Sequence, residues 1–386
     1  MRIFAPQKRQ ERISNLVPPM LRVLFSFIPF MVCLCWCITF ALQYRRNDPA
    51  KRLLTLFLAV CVVLYFCHAL FFNVGLSHPM ECLWTLCSLS VYPIYYAYLC
   101  RLTARTVRPL FWCWLLLPGA LVALLKLTFP GDLTELLRKC LFMVQVFFVL
   151  YYGYRRLQAY DRQLAEVYAD TEGRDTTAVK HLLVAFVITS FCSAIANGIG
   201  KQYFAQSDWL LLLVLTPFSV MLYALSYIGF TREFVPEQLV TDSAEAEEIV
   251  EQKEQDTMPD QEIGQLLTQL MEGERFFLTP NLKIGDVVRR LSICRTYLSA
   301  YINQTYNASF SDYVNRLRIE YAQQLLRESP SQKLLVIAQQ SGFATEQSFY
   351  RNFHKFTGQK PSEWLREANL IAAENPAEKV EDNSPS

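Results

Sequence analysis

Histidine is scarce in this chain. Four occur in 386 residues, at positions 68, 78, 181 and 354, and none pairs with another at helical spacing. No phosphate-cradling glycine loop, nucleophile elbow or metal spacing of His and carboxylates accompanies them. Those absences remove the usual means of phosphoryl transfer, acyl transfer and metal-assisted hydrolysis. A sensor kinase needs a phosphoacceptor His and a nucleotide-binding lobe, and the remaining length cannot house them. No enzyme activity, cofactor or bound metal is therefore expected. Charge is also thin: 19% of residues are charged and the formal net charge is +2, so a global basic signature of nucleic-acid binding is missing. Locally it is only masked. Acids gather between Glu233 and Glu262 and after Glu367, while Arg289, Arg290, Arg295, Arg316, Arg318, Arg351, Lys355 and Lys360 lie between them. The twelve cysteines lack the paired spacing of zinc sites, and all but Cys294 sit in or beside apolar runs. Even Cys33, Cys35 and Cys37 read as small, membrane-compatible side chains.

What the sequence has in excess is hydrophobicity, 52% of residues with 14% aromatic, beyond a typical soluble protein. It is concentrated in about seven spans: Leu21–Leu42, Leu53–Phe72, Cys82–Leu99, Leu110–Phe129, Cys140–Tyr154, Leu182–Gly198 and Leu210–Phe230. Most approach the ~20 residues needed to cross a bilayer, the fifth being the shortest. Basic residues follow the first span (Arg45, Arg46, Lys51, Arg52), the third (Arg101, Arg105, Arg108) and the fifth (Arg155, Arg156, Arg162, Arg174, Lys180). Positive loops stay cytoplasmic, which puts the N-terminus outside and the C-terminus inside. The tail before the first span holds Arg2, Lys8, Arg9 and Arg12 and argues the other way. Either the later loops win or translation begins at Met20. No cleavage site follows the first apolar run.

No outer loop is long enough for a folded sensor domain. A signal must therefore be met in the helical bundle, in the lipid or through a partner protein. His68, Asn73, Glu81, Asn197, Lys201 and Asp208 fall toward the outer ends of their spans. They are either ordinary interface residues or a polar, outward-facing pocket. The inner loop Arg155–Lys180 is longer, and its QLAEVYADTEGRDTTA stretch is expected to be solvated.

The last third of the chain changes character. Phe310, Tyr313, Val314, Leu317 and Tyr321 recur at three and four residues, giving one apolar helical face. This helix joins two helix-turn-helix patterns, Gly285–Asn303 and Leu334–Phe356. In the second, Ala338 lets two helices cross closely, and Gly342 can take the positive φ of a tight turn. Three further runs accompany these: Arg318-Ile319-x-x-Ala322 with Leu325-Leu326; Ile337-Ala338-x-x-x-Gly342-Phe343; and Phe349-Tyr350-x-x-Phe353-x-Lys355, ending in Gly358-x-x-Pro361-Ser362-Glu363-Trp364. With them the region resembles the AraC/XylS family of bacterial transcription regulators. The resemblance covers roughly a hundred residues and is specific in having several parts at family spacing.

That resemblance implies DNA binding, with two recognition helices in successive major-groove turns. It assigns DNA contacts to Arg295, Thr296 and Ser299 in the first unit and to Glu346, Gln347, Ser348, Arg351 and Lys355 in the second. Arg grips guanine, Gln adenine, and Glu accepts from cytosine, so the second helix is the expected reader. The first departs from the pattern. Val288 stands where the family has a small Ala, and Cys294 replaces the capping Ser. Arg318 either touches phosphate or ties the joining helix to its neighbours. Phe349 and Phe353 are expected in the core.

The expected fold is all-α: a polytopic transmembrane helical bundle of about seven spans plus a cytoplasmic AraC-like double helix-turn-helix domain. The expected division is a basic tail at 1–20, the bundle at 21–230, an acidic linker at 231–260, the DNA-binding domain at 261–367 and a disordered acidic tail at 368–386. Expected partners are double-stranded promoter DNA and the lipid bilayer of a bacterial inner membrane. A homodimer partner and RNA polymerase are further candidates, with a signal ligand of unnamed chemistry. The rival reading is a membrane receptor or transporter-like protein whose C-terminal domain binds protein instead of DNA.

Overall fold

The computed structural model describes residues 19–43, 48–103, 109–199, 208–231 and 259–374. The basic tail, Arg45, Arg46, Arg105, Arg108, Lys201, most of the acidic linker and the last twelve residues lie outside them. The chain divides into two compact units, Met1–Tyr160 with Thr176–Pro236 and Asp161–Asp175 with Glu237–Ser386. Among the described residues the regular structure is helical, with one isolated β-bridge.

In the first unit, α1 (Pro19–Leu42), α2 (Pro49–Asn73), α3 (His78–Leu102), α4 (Pro109–Thr128), α5 (Asp132–Val167), α6 (Thr177–Ile199) and α7 (Asp208–Thr231) fall on the seven apolar spans. The last residues of α5, from Asp161, belong to the second unit. α2 shows how a span is started: Asp48 accepts the Lys51 N–H (2.7 Å) and Pro49 takes the first turn. Three stretches, Val23–Leu42, Pro49–Asn73 and Thr177–Ile195, are long and apolar enough to cross a membrane; Leu116–Thr128 and Leu215–Thr231 are apolar but shorter. α3 misses that standard for a physical reason. Nearly every side chain from Val91 to Leu102 is buried, including Tyr92, Tyr95 and Tyr98, so its faces meet protein and tolerate hydroxyls. α5 has 36 residues and is roughly 54 Å long at helical rise, against a hydrocarbon core of ~30 Å. One helix therefore carries both the short apolar run and the arginines after it.

A polar cluster gathers where α2 and α4 end and α3 and α5 begin. Lys126 lies 3.4 Å from Glu81 and 3.6 Å from Glu135. Arg138 grips Glu135 through two nitrogens and lies over the Trp84 ring at 4.6 Å. The Trp84 indole N–H donates to His68 Nδ1 (3.3 Å). His68 and Glu81, singled out by position in the sequence, are thus joined into one network. Asn73 instead donates to Ser26 and the Ala69 carbonyl. The side chains of Asn197 and Asp208 lie outside the described residues. Beside the cluster is a cavity of about 240 Å³, lined by His68, Trp84 and Arg138 together with Tyr65, Tyr92 and Phe186.

The second unit contains α8 (Asp260–Thr268), α9 (Ile284–Leu291), α10 (Arg295–Tyr306), α11 (Phe310–Glu328), α12 (Leu334–Gln340), α13 (Glu346–Thr357) and α14 (Pro361–Glu374). α14 runs past residue 367, so the first residues assigned to a disordered tail are helical. The apolar face of α11 is shared between two cores. Phe310, Tyr313 and Val314 pack with Leu267, Val287, Val288 and Leu298, while Ile319, Ala322 and Leu326 pack with Ile337, Ala338, Phe349 and Phe353. Val288 is fully buried in place of the smaller residue, so the first core accommodates it.

The loop stretch expected to be solvated is the clearest correction. Val167, Tyr168, Ala169 and Asp170 are buried, and Ala169 is part of the first core of the second unit. The polar composition of the segment hid attachments to residues more than a hundred positions away, which only the fold brings within reach.

Candidate nucleic-acid interface

Each helix-turn-helix unit is set by its turn. Between α9 and α10, Ser292 takes the left-handed conformation with φ 55°. Between α12 and α13 the bend is at Gly342, φ 83°, where an added Cβ would stand 2.8 Å from Leu278 Cα and O. Glycine is required there both for its φ and for the closeness of the Leu278 backbone. α13 is capped by Thr345, whose hydroxyl accepts the Ser348 N–H (3.0 Å). Cys294 makes no such bond at the start of α10, in keeping with the departure noted in the sequence.

The residues assigned to DNA contact separate into four groups. Thr296, Glu346 and Gln347 are exposed on the first turns of their helices. Three others are exposed or half-buried and already engaged with acidic residues. Ser299 donates to Glu166 (2.9 Å), Arg351 pairs with Asp175 (3.3 Å) and Lys355 with Asp312 (2.5 Å). Arg295 is half-buried at the head of α10. Ser348 differs, for it is 2% exposed and its oxygen accepts from Asn352 (3.4 Å), so its side chain serves the packing of α13 instead of a surface.

Arg318 is fully buried. It donates to the carbonyls of Phe277 and Thr279, both at 2.7 Å, and grips Asp170 at 3.0 and 3.1 Å. Burial pushes its pKa down and the Asp170 carboxylate opposes that shift. Of the two roles left open by the sequence, it ties α11 to its neighbours.

Sequence reasoning missed the partners. Thr345 donates to Glu172 while capping α13, and Glu166, Asp170, Glu172 and Asp175 come from a segment more than a hundred positions upstream. One signal was available: residues 161–175 carry five acids against two arginines in a loop otherwise marked by basic residues.

The sequence profile of a helix-turn-helix domain family matches residues 287–367. The C-terminal unit carries an AraC-type helix-turn-helix domain. The Msm operon regulatory protein of Streptococcus mutans serotype c is 28% identical over 87 residues, 22% of this chain and 31% of that protein. An uncharacterized HTH-type transcriptional regulator of Escherichia coli K12, YijO, is 28% identical over 117 residues, 30% of this chain and 36% of its own. The chain thus matches about a third of the length of each relative. No solved structure matches.

Proposed function

We propose that this chain is a membrane-embedded one-component transcription regulator: a helical bundle of about seven spans that senses a signal, and a cytoplasmic domain that binds promoter DNA in a sequence-specific manner. The observation that carries the reading is the pair of helix-turn-helix units built on one shared helix, α11, each with an exposed first turn on its second helix. Regulators with a related domain support the DNA partner.

Topology is supported by parity. Asp161–Asp175 belong to the same compact unit as the DNA-binding helices, so the connection from α5 to α6 lies on their side of any membrane. α6 is long and apolar enough to cross, so α7 must bring the chain back. The basic-loop asymmetry gives the same orientation independently. The bundle also exposes large apolar side chains such as Leu24, Ile38, Leu121, Phe147 and Ile188. Pro29, Pro93, Pro118 and Pro217 lie inside its helices, a placement membrane helices tolerate. A reporter active only in the cytoplasm is expected to work when fused after Arg46, Arg105, Arg162 or Phe234 and to fail after Ser77 or Gln206. Activity at Ser77 would overturn the arrangement.

The sensing role rests on the cluster of Glu81, Lys126, Glu135 and Arg138 and on the aromatic cavity next to it. Ionisable groups within a membrane bundle are costly and mark functional sites by default.

The deciding experiment is footprinting of the full chain in lipid nanodiscs on the DNA upstream of its own gene. With a protected site in hand, Arg351→Ala is expected to weaken binding by about 1–3 kcal/mol and to relax preference at one base pair. Lys355→Ala should weaken all sequences alike. Equal loss on every sequence for Arg351→Ala would remove its assigned role. Absence of any footprint would favour the rival, a receptor whose C-terminal domain binds protein.

A further inference from the structure

We propose that residues 161–175 are an acidic strap that competes with DNA for both recognition helices and so holds the regulator in a low-affinity state. The inference rests on the DNA-binding reading and names the regulation of that same surface.

The strap has a fixed centre and charged flanks. At the centre, Tyr168 forms an antiparallel bridge with Lys283, and the Ala169 N–H donates to the Leu282 carbonyl (3.0 Å). The Ala169 carbonyl accepts from Ser311 (2.7 Å) and Asn315 (2.9 Å), and Asp170 is gripped by Arg318. These bonds are buried, which fixes the segment on the domain. On either side the carboxylates reach the residues that would meet DNA. Glu166 takes the Ser299 hydroxyl on α10. Glu172 takes the Thr345 hydroxyl at the head of α13, and Asp175 pairs with Arg351 one turn further on.

A single short segment thus places negative charge on the second helix of both units. Phosphate carries the same charge, and cannot approach those helices without repulsion from the strap or loss of its contacts. The flanks are the weak part, because Arg351 and Asp175 form a partly exposed pair, worth little on its own. The first part of the strap, with Glu166, is the last stretch of α5 itself, and Asp175 stands two residues before α6. A signal that shifts either helix therefore acts on the flanks without first unfolding the centre. Stabilising the lifted state raises DNA affinity, and DNA binding in turn favours that state of the bundle.

The test uses the full chain in nanodiscs carrying Glu166→Gln, Glu172→Gln and Asp175→Asn together, changes that keep shape and leave Asp170 in place. Binding is measured on the footprinted site and on unrelated duplex DNA. The triple variant is expected to bind both 10- to 100-fold more tightly, since the opposing charge acts on every sequence. Its promoter output should also stop varying with growth condition. Hydrogen exchange gives a second readout: in the unaltered chain, amides of Glu172–Asp175 should exchange faster when DNA is bound. A variant that binds no more tightly than the unaltered chain overturns the strap while leaving DNA binding intact. So does unchanged exchange at those amides with DNA bound. If neither protein binds any DNA, the DNA-binding reading itself falls and the strap with it.

Discussion

Replacing Asp170 with alanine lowers the stability of the DNA-binding unit by about 3–5 kcal/mol, the range for breaking one side of a buried ion pair. The pair is closed to solvent, with the Arg318 side chain 0% and the Asp170 side chain 8% exposed. Removing the carboxylate leaves a guanidinium in the interior with two carbonyl acceptors and no counter-charge. Hydration compensates little, because the Arg318 side chain is fully buried. The loss should therefore appear as local opening, read as faster hydrogen exchange along α11 in the full chain. Asp170→Asn keeps an acceptor at the same place and should lose less. Unchanged protection in the alanine variant would mean that the two carbonyls alone satisfy Arg318. The same reasoning makes the domain dependent on the loop: a fragment starting at Asp260 lacks Asp170 and should be less stable than its helices suggest.

That dependence marks the limit of what the residues reveal in order. The helical elements of the C-terminal unit were legible because their signals are local. The face of α11, the small Ala338 and the turn at Gly342 each depend on neighbours within a few positions, and each is found as expected. The seven long helices were legible for the same reason. Hydropathy already sets α3 apart from the more apolar helices, while the burial of its side chains is decided by its neighbours and is seen only in the fold. The stretch 163–178 was misread as solvated because its partners lie more than a hundred residues away. Arg318 carried two readings until Asp170 came beside it. Ser348 was assigned to DNA contact through the family resemblance, yet the pitch of α13 turns it inward. The polar cluster of the bundle was half visible: position alone pointed to His68 and Glu81, while Lys126, Glu135 and Arg138 were joined to them only by the fold.

That cluster gives the second large effect. Glu81 and Glu135 stand against Lys126 and Arg138, two charges of each sign, and the cationic side chains are only 11% and 5% exposed. Glu135 touches both of them. Glu135→Gln leaves one carboxylate for two cations, and should cost about 3 kcal/mol of bundle stability, the lower end for a broken buried pair because the Glu135 side chain is 32% exposed. In the proposed regulator it should also fix promoter output in one state, since coupling between sites is typically only about 1–3 kcal/mol and an error of that size overrides it. Stability and signalling can be told apart by restoring neutrality. Adding Arg138→Met to Glu135→Gln leaves Glu81 against Lys126, their 3.4 Å pair intact, and removing both members of a pair costs far less than removing one. Thermal unfolding in nanodiscs should therefore recover most of the loss in the double variant, while promoter output stays fixed. Recovery of both would assign the cluster to stability alone. A Glu135→Gln chain that remains stable and still responds to growth conditions would take the cluster out of the sensing path.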